Sequence, residues 1–196
     1  MSSIRSFAFA TKIDMNGRVV KAFPCARLPE YQTKFSAGAD FFCAEAVVIP
    51  SIWKQIFAKL GSHFTGNDVD ITPTLVHTGI KSNMEHDAYL ELTNRSSNPK
   101  SFGLVLANGV GIVDRDYYSN DSNDGEIMFA FYNLKFKDVY VAVGQRIGQG
   151  IFHKYLRPLD EADGLRVKDK IRTLGFGSTG YASDVKDGES DESTTS

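Results

Sequence analysis

The sequence predicts an all-β protein, folded as a sandwich or barrel with one short helix. Three observations predict this class. Short runs rich in Val, Ile, Phe and Tyr, the residues that favour strands, recur along most of the chain. Clusters of Gly, Asn and Asp separate these runs, as turns do in all-β proteins. Apolar residues at helical spacing are confined to one stretch, near residue 55.

The first elements are predicted to form a hairpin followed by one or two strands. Residues 7–10 and 19–23 are short apolar runs, and the turn between them, residues 14–17, contains an Asn-Gly pair that favours a tight hairpin. Residues 36–50 then predict a turn at Gly38 and strand structure that ends at Pro50.

The predicted helix spans residues 51–60. Apolar residues recur at helical spacing from Ile52 to Leu60, Ser51 is suited to cap the start, and Gly61 is suited to end the helix. We expect the aromatic residues of this helix to pack on a sheet. A face that binds a protein partner is the alternative.

Further strands follow the helix. Alternating or continuous apolar patterns predict them at residues 75–80, 88–93, 125–132, 139–143 and 146–152. The turn cluster at 121–125 separates two strands. Together these elements give one β domain over residues 1–170. A Gly-rich segment, 171–180, and an acidic Ser/Thr-rich tail, 181–196, come after it, and we expect the tail to be disordered because it has almost nothing to bury.

Composition excludes several classes of function. A net charge of −2 and a pI near 6.1 do not suit bulk binding of nucleic acid, which requires a basic surface. The sequence has no signal peptide and no apolar run long enough to span a membrane, so we expect no membrane association. Cys25 and Cys43 fit neither a metal site nor a disulfide framework and are expected to be reduced thiols in a cytosolic protein. The histidines show no spacing typical of metal ligands.

The side chains suited to chemistry are concentrated in the middle of the chain. Residues 95–97, Arg-Ser-Ser, offer a guanidinium and two hydroxyls. Asn108 supplies an amide, Asp114 and Asp116 supply carboxylates, and Tyr117 supplies a ring. This set suits a phosphorylated small molecule that contains a ring. The two carboxylates have two interpretations, a solvated pair in a turn or a general base that polarises water.

The Gly-rich segment at residues 175–180, GFGSTG, also has two interpretations. A flexible linker is the common one. Glycine backbone N–H groups can also converge on an anion, and Phe176 suits a lid over a ligand ring, while Arg172 suits a bidentate contact to phosphate.

Five segments in fixed order resemble the five motifs of the trimeric deoxyuridine triphosphatase (dUTPase) family. They are SAGADFF at 36–42, NRSS at 94–97, GVGIVDRDYY at 109–118, GQRIGQGIF at 144–152 and RTLGFGSTG at 172–180. Ala39 stands where the family usually has Tyr. The resemblance implies a jelly-roll-like β-sandwich, a homotrimer with sites shared between subunits, and hydrolysis of dUTP to dUMP and pyrophosphate with Mg²⁺ as cofactor.

The resemblance also implies roles for individual residues at the nucleoside end. Asp114 matches the catalytic residue that directs the attacking water. Tyr117 matches the ring that packs under the deoxyribose and leaves no room for a 2′-hydroxyl. The uracil would be read by Asn108 and by the backbone of Gly111, Ile112 and Val113, with Met128 lining the pocket.

At the phosphate end, the matching residues are Arg95, Ser96, Ser97 and Gln149. Arg172 matches an arginine that closes on the γ-phosphate, and Phe176, followed by Gly177 and Ser178, matches a ring stacked on uracil. Asp40 matches an acid near the magnesium site, acting through water. The segment 171–180 would close on a neighbouring subunit's site.

The sequence departs from the family pattern in four places. Gln145 stands where an acid is common, and Arg172 lies four residues before Phe176 instead of the more usual five. Residues 119–124 lengthen the turn after Tyr117, and residues 51–70 resemble an insertion. These insertions suggest a bacterial or phage branch, located in the cytoplasm or, if phage-encoded, in the host cytoplasm.

Three alternatives stay open at this point. A dCTP deaminase has the same fold but needs a glutamate in the region of the third motif, where this chain has Asp114 and Asp116. A protein of the dUTPase fold could instead work mainly by binding a protein partner through residues 51–70 or 119–124. The remaining alternative is a β-sandwich of unrelated function.

Overall fold

The computed structural model describes residues 5–65 and 69–156. Within these residues the chain is mostly β, as predicted, with one α-helix, α1 (Ile52–Thr65). The strands are β1 (Ser6–Phe9), β2 (Thr11–Ile13), β3 (Val19–Lys21), β4 (Ala39–Phe42), β5 (Val47–Ile49), β6 (Thr74–His77), β7 (Ile80–Asn83), β8 (Ala88–Thr93), β9 (Leu104–Leu106), β10 (Gly111–Val113), β11 (Met128–Asn133), β12 (Val139–Val141) and β13 (Arg146–Lys154). The predicted segment 171–180 and tail 181–196 lie outside the described residues.

A hairpin forms around the predicted turn, but its first strand is β2, whereas most of the predicted first strand, residues 7–10, belongs to β1 and pairs with β7. β2 and β3 pair antiparallel, with Ile13 opposite Val19. Asp14 stabilises the turn because its Oδ1 accepts hydrogen bonds from the N–H groups of Asn16 and Arg18, both at 2.8 Å. Gly17 has a φ of 73°, a conformation that glycine adopts without a steric cost.

The helix was predicted to end at Gly61, and that boundary is wrong. Ser51 caps the start as expected, accepting the N–H of Trp53 at 3.2 Å. Gly61, however, does not have the positive φ that ends a helix, and α1 continues to Thr65. A glycine inside a helix costs only about 1 kcal/mol relative to alanine, and Ser62, which is buried, adds a bond to the carbonyl of Lys59 at 2.8 Å.

The structure does not show the expected packing of the α1 aromatic residues on a sheet, because Trp53 contacts the loop between β11 and β12 and Phe57 is exposed. Trp53 stacks on Phe136 with ring centroids 5.2 Å apart and donates from its indole N–H to the carbonyl of Leu134 at 3.2 Å. Phe57 and Leu60 instead remain exposed, at 64% and 57%. The helix therefore presents an apolar strip to the outside of this protomer.

Two strand boundaries also differ from the prediction. The run 75–80 is two strands, β6 and β7, because Gly79 turns the chain between them with a φ of 65°. A Cβ at Gly79 would lie 2.7 Å from the Cβ of Ala26, so the turn requires glycine. The strand predicted from residue 125 begins at Met128, after Gly125, whose φ is 77°.

The sheets pack around one aromatic core. The largest sheet has the order β10-β8-β13-β4, and a three-stranded sheet has the order β6-β11-β9; neighbouring strands in both sheets are antiparallel. Phe41 of β4 and Phe129 of β11 connect the two sheets, with ring centroids 5.6 Å apart, and both are buried. The fold is thus a β-sandwich, the architecture expected from the sequence.

Glycines in β13 allow its backbone to lie directly on this core. A Cβ at Gly148 would overlap the ring of Phe129, and one at Gly150 would lie 2.6 Å from the ring of Phe41. Because neighbouring residues on a strand point to opposite faces, Gln149 between them projects away from the core. The sequence of β13 therefore serves packing on one face and leaves a polar side chain on the other.

Two smaller expectations can be compared with the described residues. Cys25, which is exposed, and Cys43, which is buried, are both free thiols. In residues 5–65 and 69–156 no helix combines the length and the apolar content needed to cross a membrane.

Candidate active site

The first half of the candidate site is a cluster of charged side chains around Asp40, here called the arginine cluster. Arg95 donates from Nε to Oδ1 of Asp40 at 3.2 Å, and Arg146 donates from Nη1 to Oδ2 at 3.3 Å. Gln149 donates from Nε2 to Oδ1 at 3.1 Å. Asp40 is buried, whereas the side chain of Arg146 is 42% exposed. Two guanidiniums around one carboxylate leave a net positive charge at the surface.

Strand register brings the cluster together. Asp40 of β4 lies opposite Gln149 of β13, and Gln149 lies opposite Thr93 of β8 on its other side. Arg95 follows β8 by two residues and so reaches the same corner of the sheet. The chain is held there by Asn98, which donates from Nδ2 to the carbonyl of Ile147 at 2.6 Å. Arg146 was not among the site residues predicted from the sequence. Its position as a basic residue inside the fourth motif was the available indication.

The two serines beside Arg95 are placed differently. Ser97 lies under the guanidinium, accepting from Nη1 of Arg95 at 3.4 Å, and Ser96 is exposed. Hydroxyls beside a guanidinium fork can donate to the same phosphate group that the fork binds. The arginine cluster and these hydroxyls therefore make a site suited to a polyanion.

Asp40 does not have the surroundings of a direct metal ligand. Both of its oxygens accept from cationic or amide donors. The part of the chain that the structure describes also contains no group of three His, Cys, Asp or Glu side chains able to hold an ion. These residues fit Mg²⁺ only when phosphate oxygens supply most of its ligands, which is the usual mode for this ion.

The second half of the candidate site surrounds Asp114. This residue follows β10 in extended conformation and precedes a single 3₁₀ turn, Arg115–Tyr117. A cavity of about 930 Å³ opens beside it, with Asp116, Tyr118 and Tyr155 also in its wall. The carboxylate pair therefore lies in a turn, as one of the two interpretations requires, and both members face one cavity.

β10 offers its backbone as well. It forms one edge of the largest sheet and pairs only with β8 among the described strands. An edge strand has N–H and C=O groups that are available to another molecule. Gly111 and Val113 are buried, whereas Ile112 is 51% exposed and Asn108 is exposed in the turn before the strand. This is the arrangement needed to read a planar base through main-chain and amide hydrogen bonds.

Tyr117 is buried close to Asp114, at 3% exposure. Its hydroxyl donates to the carbonyl of Glu126 at 3.0 Å and accepts from Nδ2 of Asn123 at 2.8 Å. The described residues that line the cavity include Tyr118 but not Tyr117. In this protomer the Tyr117 ring is thus covered by other residues and does not line the cavity. Met128 lies at the start of β11, partly buried, opposite His77.

Glu126, whose backbone carbonyl accepts from Tyr117, also contacts His77 through its carboxylate. Its side chain accepts from Nδ1 of His77 at 3.1 Å and from the N–H of Gly79 at 3.0 Å. The hydrogen bond with Glu126 raises the pKa of His77 above its ordinary value, although burial acts in the opposite direction. The carboxylate of Glu126 therefore stabilises the β6–β7 turn, and the backbone carbonyl of the same residue accepts the hydrogen bond from Tyr117.

The two halves of the site are far apart in one protomer. Asp114 continues β10 to the level of Tyr89 and His153, while Asp40 lies at the level of Gln149, on the opposite edge strand. Three strand spacings of about 4.8 Å and four residues of about 3.3 Å separate them, so the distance is roughly 20 Å. Arg172, Phe176, Gly177 and Ser178, also predicted for the site, lie outside the described residues.

The β-sandwich, with a cluster of arginines at one corner of its largest sheet and a carboxylate beside the open edge strand, has the architecture of a jelly-roll protein. The chain belongs to the dUTPase family. The dUTPase family model matches residues 67–180. The resemblance drawn from the five motifs is confirmed.

Named relatives agree with this membership. The chain is 34% identical over 178 residues to deoxyuridine 5'-triphosphate nucleotidohydrolase of Lactococcus lactis subsp. lactis, covering 90% of this chain and 98% of that protein. It is 33% identical over 169 residues to the protein of the same name from Helicobacter pylori strain J99, covering 86% of this chain and 99% of that one. The crystal structure of dUTPase from Streptococcus mutans matches with a TM-score of 0.57 and 30% identity over 76% of this chain and 98% of that chain.

Proposed function

We propose that the protein hydrolyses dUTP to dUMP and pyrophosphate, with Mg²⁺ bound to the triphosphate. Family membership supports the reaction. The observation that carries the rest of the proposal is the division of the site. A polyanion site lies around Arg95, and a carboxylate with an open edge strand lies around Asp114, about 20 Å away on the same sheet.

We infer from this division that each site is built from more than one copy of the chain. A triphosphate that contacts the arginine cluster cannot also place its α-phosphorus beside the same protomer's Asp114, because the three phosphates together span well under 20 Å. Two copies that face each other can bring the two halves together. A closed homotrimer with heterologous contacts does this three times, so that each subunit contributes a different half to each of two sites.

The nucleoside would bind at β10. We assign uracil to the exposed amide of Asn108 and to the backbone of Gly111, Ile112 and Val113, with Met128 nearby and Tyr117 as the floor under the deoxyribose. The two hydrogen bonds of the Tyr117 hydroxyl suit this role, because a wall that excludes a 2′-hydroxyl must not yield. The segment 171–180 would bring Phe176, with Gly177 and Ser178, over the base and Arg172 to the phosphates.

Hydrolysis would proceed by attack of water on the α-phosphorus. Asp114 orients the water and draws its proton as the new oxygen–phosphorus bond forms. The bond from the α-phosphorus to the bridging oxygen then breaks, and pyrophosphate leaves. Arg95 and Arg146, with the hydroxyls of Ser96 and Ser97, stabilise the charge on the leaving group. Bound Mg²⁺ supplies further charge neutralisation on the phosphates. Asp40 and Gln149 hold the guanidinium of Arg95 in position.

Release of pyrophosphate from a panel of nucleotides tests the proposal. With Mg²⁺ present, dUTP should be hydrolysed rapidly. We expect dCTP, dTTP and UTP to be hydrolysed at least about 100-fold less efficiently, because dCTP presents different hydrogen-bonding groups, dTTP carries an added methyl group and UTP carries a 2′-hydroxyl. Deamination of dCTP would assign the chain to the sister activity instead, and equal hydrolysis of all four would remove the base-reading role of β10.

One observation favours a second candidate function, binding of a protein partner through residues 51–70. Phe57 and Leu60 of α1 are exposed apolar side chains, and Phe136, which stacks on Trp53 of the same helix, is 72% exposed. The same assay separates this candidate from the first. A trimer that binds dUTP without turning it over would make partner binding the main role, whereas rapid and specific turnover makes hydrolysis the main role.

A further inference from the structure

The loop that follows Tyr117 is tied to the interior of the protein. Its sequence from Ser119 to Asp124 consists only of Ser, Asn and Asp, a composition typical of an exposed turn. In the structure Asn120 is nevertheless buried, at 6% exposure, and Asn123 is partly buried. Both amides point at Tyr117.

Asn123 closes a triangle of hydrogen bonds with the hydroxyl of Tyr117. Its Nδ2 donates to Oη of Tyr117 at 2.8 Å and to the backbone carbonyl of Glu126 at 3.1 Å. The third side is the bond from Oη of Tyr117 to the same carbonyl, at 3.0 Å. The ring is therefore fixed at its far end by two partners that also hold each other.

Asn120 fixes the other end of the same residue. Its Nδ2 donates to the backbone carbonyl of Tyr117 at 3.0 Å and to Oδ1 of Asn123 at 2.9 Å. Its Oδ1 accepts from the N–H groups of Ser122 and Asn123, at 3.0 and 3.2 Å. The loop thus grips Tyr117 at both its backbone and its hydroxyl, and the two asparagines brace each other.

The loop is itself anchored to distant strands. Both oxygens of Asp124 accept from Nζ of Lys81 in β7 at 2.8 Å, and Oδ2 also accepts from the N–H and hydroxyl of Thr11, at 2.8 and 2.7 Å. Ser119 and Asp124 have φ values of 55° and 56°, a costly conformation for residues other than glycine. A strained backbone with this many partners indicates a loop that keeps one conformation.

We propose that Asn123 is a positioning residue that sets the preference for deoxyribose over ribose by fixing the ring of Tyr117. This inference rests on the proposed function, in which that ring forms the wall that excludes a 2′-hydroxyl. A wall rejects one added oxygen atom only if it cannot move aside, because a loosened ring could shift enough to admit it. The triangle around Oη removes that freedom.

The test compares kcat/KM for dUTP and for UTP in four proteins: wild type, Asn123→Ala, Tyr117→Phe and the double variant. Each single change removes one corner of the triangle. We expect each to lower the dUTP-to-UTP ratio by roughly 5- to 10-fold, the effect of one lost hydrogen bond. The double variant should lower it no further, because both changes disrupt the same unit. Asp121→Asn, an exposed change in the same turn, is the matched control and should keep the wild-type ratio.

Two outcomes would overturn the inference. If Asn123→Ala lowers kcat/KM equally for both substrates, together with the melting temperature, the loop has only a structural role. If the single changes multiply in the double variant, Asn123 does not act through Tyr117. Should Asn123→Ala fail to fold, Asn123→Asp, which keeps the shape of the side chain but removes the amide donor, takes its place in the comparison. A wild-type protein without dUTP hydrolysis would reject the proposed function and this inference with it, a result distinct from an unchanged ratio in an active enzyme.

Discussion

Replacing Asp114 with Asn is expected to lower the rate of dUTP hydrolysis roughly 10³-fold, because the amide cannot accept the proton of the attacking water. The change keeps the shape and size of the side chain, so the binding of dUTP should change little. The measurement is pyrophosphate release at saturating dUTP with Mg²⁺, together with the dissociation constant for a non-hydrolysable dUTP analogue.

Asp116→Asn is the matched control for this prediction. Asp116 lies two residues further along and faces the same cavity. If Asp114 alone directs the water, Asp116→Asn should lower the rate of dUTP hydrolysis by no more than a few-fold. Equal losses in the two variants would instead favour a general electrostatic role for the pair, and a fully active Asp114→Asn would remove the proposed base from the mechanism.

The second large effect is expected from Arg95→Ala, which should lower kcat/KM for dUTP about 100-fold. A charged hydrogen bond contributes about 1.5–3 kcal/mol, and Arg95 is the best oriented guanidinium of the cluster, with its side chain only 20% exposed. Arg95→Lys should recover a small part of the loss, since an ammonium supplies the charge without the planar fork.

Lys100→Ala serves as the control for Arg95. Lys100 is an exposed cation in the π-helical turn Asn98–Phe102, which follows the serines. It tests whether any nearby positive charge assists binding of the triphosphate. A loss as large as that of Arg95→Ala would show that long-range attraction, not the oriented cluster, binds the phosphates. Steady-state kinetics at two salt concentrations distinguish long-range attraction from binding by the oriented cluster, because exposed charges are screened by salt.

Local signals in the sequence predicted the elements well where one residue type decides the geometry. The Asn-Gly pair at residues 16 and 17 fixed the first hairpin, and Ser51 capped the helix as expected. The same kind of reasoning failed at Gly61, because a glycine only permits a helix to end and does not require it. At Gly79 the apolar pattern concealed a turn, at which the close approach of Ala26 leaves room only for glycine.

The site was predictable as a set of residues but not as an arrangement. Arg146 donates to an aspartate 106 positions away, a pairing that depends on the register of β4 and β13. Asn123 belongs to a run that looks like any solvated turn, and its role follows only from the hydrogen bond to Tyr117. The separation of Asp114 from the arginine cluster likewise follows from strand order, which single-sequence patterns do not specify.

The most direct test of the account is a mixing experiment with the two inactive variants. Trimers of Asp114→Asn and of Arg95→Ala are dissociated, mixed in equal amounts and reassembled, and native mass spectrometry confirms that mixed trimers form. If each site takes Asp114 from one subunit and Arg95 from another, about a quarter of the sites regain both residues, so activity should return to about a quarter of the wild-type value. Mixed trimers that stay as inactive as their parents would contradict a site shared between subunits.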